Sequence, residues 1–243
     1  DELGVAAIDD APDDADAATI AAEAMMVLRP WDYWRADGRP QPGTEEILAI
    51  LEAALRQHPD HPGACHYYIH AVEASPDPQR ALDCAKRLPS LMPGAGHLVH
   101  MPAHIYMRLG RYREASERNA TAAMVDHEYL SRHPLEGNYA SGYYAHNLHF
   151  LNASLMMEGR SAEALQVARD LLAKVPGDEI AKEPSLEWYA PTVLLTMARF
   201  GQWGDLIRHP PPSKSLRLTT GLWHFSRGLA FAATTRFGSA EGE

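Results

Sequence analysis

Seven of the 13 histidines in this 243-residue chain fall in three short segments: His66 and His70; His97, His100 and His104; His146 and His149. Within each segment the spacing is three, four or seven, which puts the imidazoles on one face of a helix. The segments also echo one another. His66 to His100 and His70 to His104 are both 34 residues, while His97 to His146 and His100 to His149 are both 49. Neutral imidazole is the commonest protein ligand for Zn, Cu, Ni and Fe, and a pair four apart on a helix can chelate one ion from one side. His66 with His70 and His100 with His104 are therefore candidate ligand pairs. His97, His146 and His149 are further ligands or groups that orient them. Glu73 lies one turn beyond His70 and is the candidate carboxylate ligand, or the general base for a metal-bound water. So imidazole-rich a set disfavours Mg and Ca and leaves Zn, Cu or Fe.

Two chemistries are open to such residues. Three His and an open position on Zn would make hydroxide near neutral pH and favour hydrolysis. Two clusters of His drawn from several helices would instead suit paired copper and oxygen, an analogy with type-3 copper sites. Tyr67, Tyr68, Tyr106, Tyr143 and Tyr144 lie near the histidines in sequence and either line a pocket or pack. The chain has no H-E-x-x-H, no G-x-S-x-G and no phosphate-cradling glycine loop, so the common zinc-protease, esterase and nucleotide signatures are absent.

The elements that must carry these residues read as helices throughout, an all-α chain, because apolar residues recur at helical spacing and strand alternation is hard to find. Ala15 to Trp34 is expected to be helical up to Pro30. Thr44 is the expected N-cap of a helix with Ile47, Ile50, Leu51, Ala54 and Leu55 on one face, ending before Pro59. Asp77-Pro78 opens another that ends before Pro93, and Leu216 to Phe231 reads as the last. Turn landmarks recur with them: Gly110, Gly159 and Gly201 each close one helix just before a second. Pro76 lies 34 residues before Gly110, and Gly159 lies 49 after it, which is 34 plus an insertion of 15, placed at 128–142.

A helix-turn-helix unit of 34 residues resembles the tetratricopeptide repeat family, over roughly Ala18 to Phe231. The resemblance implies a solenoid, an α-α superhelix, of about four to five helix pairs, forming one domain over residues 1–243. In that family the second, fifth, ninth and twelfth places of the first helix face a concave groove. With the register set by Gly and Pro, His97 and His146 take the second place, His66, His100 and His149 the fifth, His70 and His104 the ninth, and Glu73 the twelfth. Random placement would put about 0.6 His on the corresponding positions of three repeats. The strings Trp31-Asp32-Tyr33-Trp34, His66 to Glu73 and Gly96 to Tyr106 are also similar to a bacterial group of His-rich tetratricopeptide proteins, a resemblance that supplies a fold and no activity. Members of that group extend further both ways, and residue 1 here is Asp, so the chain is expected to be a fragment or a processed part of a longer one.

Charge narrows the partners. With 32 acidic against 22 basic side chains the net charge is -10, which disfavours nucleic acid and anionic membrane surfaces. No apolar run is long enough to span a bilayer. A soluble, cytoplasmic protein is expected, with a removed signal peptide left open. Cys65 and Cys84 have neither metal-type nor disulfide-framework spacing. The expected function is a metal-dependent enzyme, hydrolytic or oxidative, with a small-molecule or peptide ligand in the groove. The alternatives are a tetratricopeptide peptide-binding scaffold and a non-catalytic metal-binding protein.

Overall fold

The computed structural model describes residues 14–133 and 139–243. Among these residues the chain is helical; its only extended pairing is a single bridge between Trp34 and Pro40. It divides into two compact units, one ending at Val125 and one starting at Asp126.

The first unit holds α1 (Ala15–Val27), α2 (Thr44–Gln57), α3 (Pro62–Val72), α4 (Leu82–Leu91), α5 (Gly96–His100), α6 (Pro102–Arg108) and the first part of α7 (Tyr112–Arg132). Asp14 starts α1 by accepting hydrogen bonds from the backbone N–H groups of Asp16 and Ala17 at 2.9 and 3.1 Å. The helix stops at Val27, short of Pro30, and the chain then turns through Trp31, whose φ is 60°. Thr44 is not a cap. Gly43, at φ 89°, takes the position before α2, and the Thr44 hydroxyl donates to the Tyr33 carbonyl at 2.8 Å, tying the turn to the helix start. Trp34 Nε1 donates to the Ala71 carbonyl at 2.8 Å, satisfying one of the carbonyls that the end of α3 leaves without an intrahelical partner.

In α2, Ile47, Leu51 and Ala54 are buried, as the apolar stripe requires, and α4 buries Ala85 and Leu88. Asp77-Pro78 opens a 3₁₀ turn, Pro78–Ala81, before α4 proper. Helix α3 packs against α1, α2, α4 and α6. Leu51, Ile69, Leu88, Met101 and Ile105 are fully buried, each contributing about 1.5–3 kcal/mol of apolar burial. Between α5 and α6, Pro102 removes one backbone donor, yet Met101 keeps helical angles (φ -48°, ψ -37°), so His97, His100 and His104 still follow one helical path.

In the second unit a π-helical turn (Ala140–Tyr144) leads into α8 (Ala145–Glu158), α9 (Ser161–Lys174), α10 (Gly177–Lys182), a 3₁₀ segment (Pro184–Tyr189), α11 (Thr192–Arg199), α12 (Trp203–Arg208), α13 (Arg217–Ala233) and α14 (Phe237–Glu241). Helix α9 packs against α8 and α11, and α13 against α11 and α12, around Ala168, Leu194, Leu206 and Ala230. Of the insertion placed at 128–142, residues 128–132 belong to α7 and 134–138 lie outside the described residues.

One turn recurs. Gly110, Gly159 and Gly201 have φ of 72°, 77° and 65°, and each helix end carries the six-to-one bond of a Schellman motif: Arg111 N to Tyr106 O, Arg160 N to Leu155 O and Gln202 N to Met197 O, at 2.8, 3.0 and 2.9 Å. A fourth turn of the same kind is built without glycine. Thr235 has φ 59°, and Arg236 N bonds Phe231 O at 2.8 Å. Thr235 lies 34 residues after Gly201. No helix among the described residues is long and apolar enough to cross a membrane.

Candidate metal centre

Helix α3 and the α5–α6 path bring five imidazoles and one carboxylate together in the first unit. His66 and His70 come from α3, His97, His100 and His104 from α5 and α6, and Glu73 from the end of α3. Helical spacing aligns the residues of each helix, and the packing of α3 on α6 sets the two rows against each other. Neighbouring rings follow one another at 4.8–5.7 Å: His66 to His97, His97 to His100, His100 to His104, His104 to His70.

Glu73 organises this group. Its Oε1 accepts from His70 Nδ1 at 2.9 Å and its Oε2 from His104 Nδ1 at 2.6 Å. Burial alone would raise its pKa, but the charges and hydrogen bonds of His104 and His70 outweigh that and hold the carboxyl well below the usual range. An ionised carboxylate accepts only, so both Nδ1 atoms carry protons and, in the neutral rings, Nε2 carries the lone pair. His100 is fixed in the same way. Its Nδ1 lies 2.5 Å from Asn119 Oδ1, and Asn119 Nδ2 donates to the Ala115 carbonyl at 2.9 Å, which settles which end of the amide faces the ring.

The Nε2 atoms also meet in pairs. His66 Nε2 and His97 Nε2 are 3.2 Å apart, and His100 Nε2 and His104 Nε2 2.9 Å. One ring nitrogen from each of His66, His70 and His97 lies within 4.8 Å of the other two, and one ligand atom from each of His70, Glu73 and His104 is grouped as tightly. Two nitrogens bound ~2.0 Å from one ion at an angle of roughly 90–105° stand about 2.9–3.2 Å apart. Burial keeps His66 and His97 neutral, pushing both down to about 3 with help from the neighbouring imidazoles, and it lowers His70 against the opposing pull of Glu73. These buried His clusters can therefore hold a metal ion.

The second unit places the other two candidates. His146 lies with its ring 5.1 Å from that of Phe150 on α8. His149 is set edge-on to Trp188 and Tyr189 at 5.0 and 5.4 Å, and burial lowers its pKa.

Two residues at the cluster have no counterpart among the sequence candidates. Asn119 is one of them. It lies 19 residues after His100 on another helix, a separation with no helical meaning, so packing alone brings it in. The other is Trp31, 70% exposed, whose ring sits 5.0 Å from that of His70 and covers the cluster from the α1–α2 turn. Its neighbour Asp32 is exposed and engages Arg29 and Gln41 instead. Of the tyrosines, Tyr67 lies against His66 at 4.8 Å, while Tyr68 donates to Glu52 and Tyr106 lies under Arg111. Compared with protein-family models and with curated protein sequences, the chain matches none.

Proposed function

We propose that the protein is a metal-dependent enzyme whose transition-metal ion, Zn, Cu or Fe, is bound by His66, His70 and His97, and that the ion activates water for hydrolysis. The observation that carries this reading is the orientation of the imidazoles. Nδ1 of His70 is spent on Glu73, which leaves Nε2 as its ligand atom, and His66 and His97 present Nε2 to each other. A carboxylate behind a ligating imidazole fixes its tautomer and raises its basicity. Three imidazoles leave a fourth position for water, and an ion so placed lowers the pKa of that water to about 7, so no separate base is needed. Glu73, with both oxygens engaged, acts as the group that aims His70 and His104, and Trp31 as the wall against which a small-molecule substrate lies.

The helix pairs are read as tetratricopeptide-type units. The recurrent turn supports this, because Thr235 and Gly201 repeat at the 34-residue period that the histidines and Pro76–Gly110 share.

Elemental analysis of protein purified without an affinity tag tests the metal, beside His66→Leu/His97→Leu. Near-stoichiometric transition metal that disappears in the variant is expected. Protein that carries none and binds none with better than micromolar affinity would overturn the reading. Chromogenic carboxylic and phosphate esters then test hydrolysis, with turnover expected from metal-loaded protein and abolished by chelation.

A further inference from the structure

The backbone at Trp31 is strained. A bulky residue rarely takes a φ of 60°, which glycine adopts without cost, yet the turn between α1 and α2 holds Trp31 there. The side chain gains little burial in return, since it is 70% exposed. Its neighbours hold the turn. Tyr33 is buried, its hydroxyl donates to the Met26 carbonyl at 3.3 Å, and its carbonyl accepts from the Thr44 hydroxyl. Trp34 Nε1 donates to the carbonyl of Ala71, the residue after His70. These bonds tie the turn to α1, α2 and α3, and the Trp31 ring comes to lie 5.0 Å from that of His70, tilted by 49°. Packing does not reward this strain, and strain of this kind collects where a ligand is recognised.

We infer that Trp31 determines specificity, selecting substrates that carry an uncharged aryl group beside the bond to be hydrolysed. This rests on the reading of His66, His70 and His97 as a metal site. The class of the group follows from what surrounds the indole. A cation is what an indole face attracts most strongly, but one held there would meet the positive charge of an ion on His70. An anion would be drawn onto the ion itself and away from the electron-rich face of the ring. An uncharged flat group escapes both conflicts. It stacks on the exposed indole face and leaves the ion to the bond being broken. The nearest charges in the turn do not alter this, because Arg29 and Asp32 pair with each other at 3.5 Å.

Binding tests this without turnover. Benzohydroxamic and acetohydroxamic acid chelate late first-row ions through the same two oxygens and differ in carrying an aryl or a methyl group. Their dissociation constants are measured by titration calorimetry on the metal-loaded full chain. The wild type is expected to prefer the aryl compound by about tenfold, the gain that one stacked aromatic pair supplies. Trp31→Gly should cut that preference to within about twofold and Trp31→Phe should keep most of it. The glycine variant should also hold its metal and unfold no earlier than the wild type, because glycine takes a φ of 60° without strain. Equal affinities in the wild type, or a preference that Trp31→Gly retains, would overturn the inference and leave the metal site standing. No bound metal at all would overturn both readings. Should Trp31→Gly fail to give the helical circular dichroism of the wild type, Trp31→Ala decides by the same ratio.

Discussion

Each unit of the molecule holds a carboxylate between two side-chain donors, and the two are pushed in opposite directions. Glu73 sits between His70 and His104 and is held well below the ordinary range. Asp126, 0% exposed, accepts from Tyr139 Oη at 2.8 Å and from Asn147 Nδ2 at 2.6 Å, and burial raises its pKa against these two bonds. Both accept from two donors, Asp126 in full burial and Glu73 with its side chain 23% exposed. What differs is that imidazole can carry charge and phenol and amide do not, so only Glu73 gains Coulombic stabilisation that exceeds its desolvation. A buried carboxylate with neutral partners builds structure, whereas one with imidazole partners fixes tautomers and aims lone pairs.

The largest expected effect is the acid response of the first unit without metal. His66 and His97 have folded values of about 3 and His70 is also lowered, while the unfolded chain takes up these protons near 6.5. For a base whose folded pKa is depressed, the unfolded state binds more protons, so stability is lost as pH falls below the unfolded value. Each such group contributes a slope of about 1.4 kcal/mol per pH unit. Glu73, also depressed, adds stability that is present above about 4.5 and lost as pH falls towards its folded value. Chelator-treated protein should therefore lose several kcal/mol between pH 6.5 and 4 in urea unfolding, and bound metal should move the transition to lower pH. A flat profile over that range would mean that these imidazoles are not buried neutral.

Glu73→Gln comes next. An amide accepts on one side only, so one of His70 and His104 loses its anchor, and metal affinity should fall about 10–100-fold. Competition against a chromophoric chelator measures this. Asp126→Asn in the same assay should leave affinity within about twofold, and a matching loss there would erase the distinction between the two carboxylates.

Much of the site was legible because helical spacing and a repeat interval both follow directly from residue numbers. His66 and His70, or His100 and His104, must share a helix face once the segments are helices, and the all-helical character follows from apolar periodicity. Asn119 was not legible. Its partner His100 is reached across a helix pair, and nothing in the spacing announces it. Thr235 was hidden for another reason: glycine marks a left-handed helix end in sequence, and threonine does not. Thr44 looked like a cap because its type suits one, yet Gly43 supplies the turn and frees the hydroxyl for Tyr33. Glu73 was visible as a carboxylate one turn from His70, but that its two oxygens would reach two imidazoles depended on how α3 meets α6.

A smaller effect is expected at Asp126. Its raised pKa means that the folded state binds the proton more tightly than the unfolded chain, so stability falls as pH rises from about 3.9 through the folded value. Asp126→Asn removes that dependence. The amide can be accommodated, because Asn147 Oδ1 is buried without a hydrogen-bond partner, and a half-turn of that side chain would present an acceptor to the new N–H. The variant should stay within about 1 kcal/mol of wild type at pH 4 and gain on it at pH 8. Urea unfolding at the two values checks this, and the opposite trend would mean that Asp126 is an ordinary ionised carboxylate.

The smallest effect is expected at His149, which shares the fifth repeat place with His66 and His100. Repeat register fixes a helix face but not what the next element sets against it. For His66 that is the imidazole of His97; for His149 it is Trp188 and Tyr189, from the 3₁₀ segment. An aromatic surround accepts another aromatic ring, so His149→Phe should keep full metal content and change stability by less than about 1.5 kcal/mol. Elemental analysis beside thermal unfolding measures both. Loss of metal with stability intact would make His149 a ligand, and would mean that register alone is the better guide to which imidazoles bind.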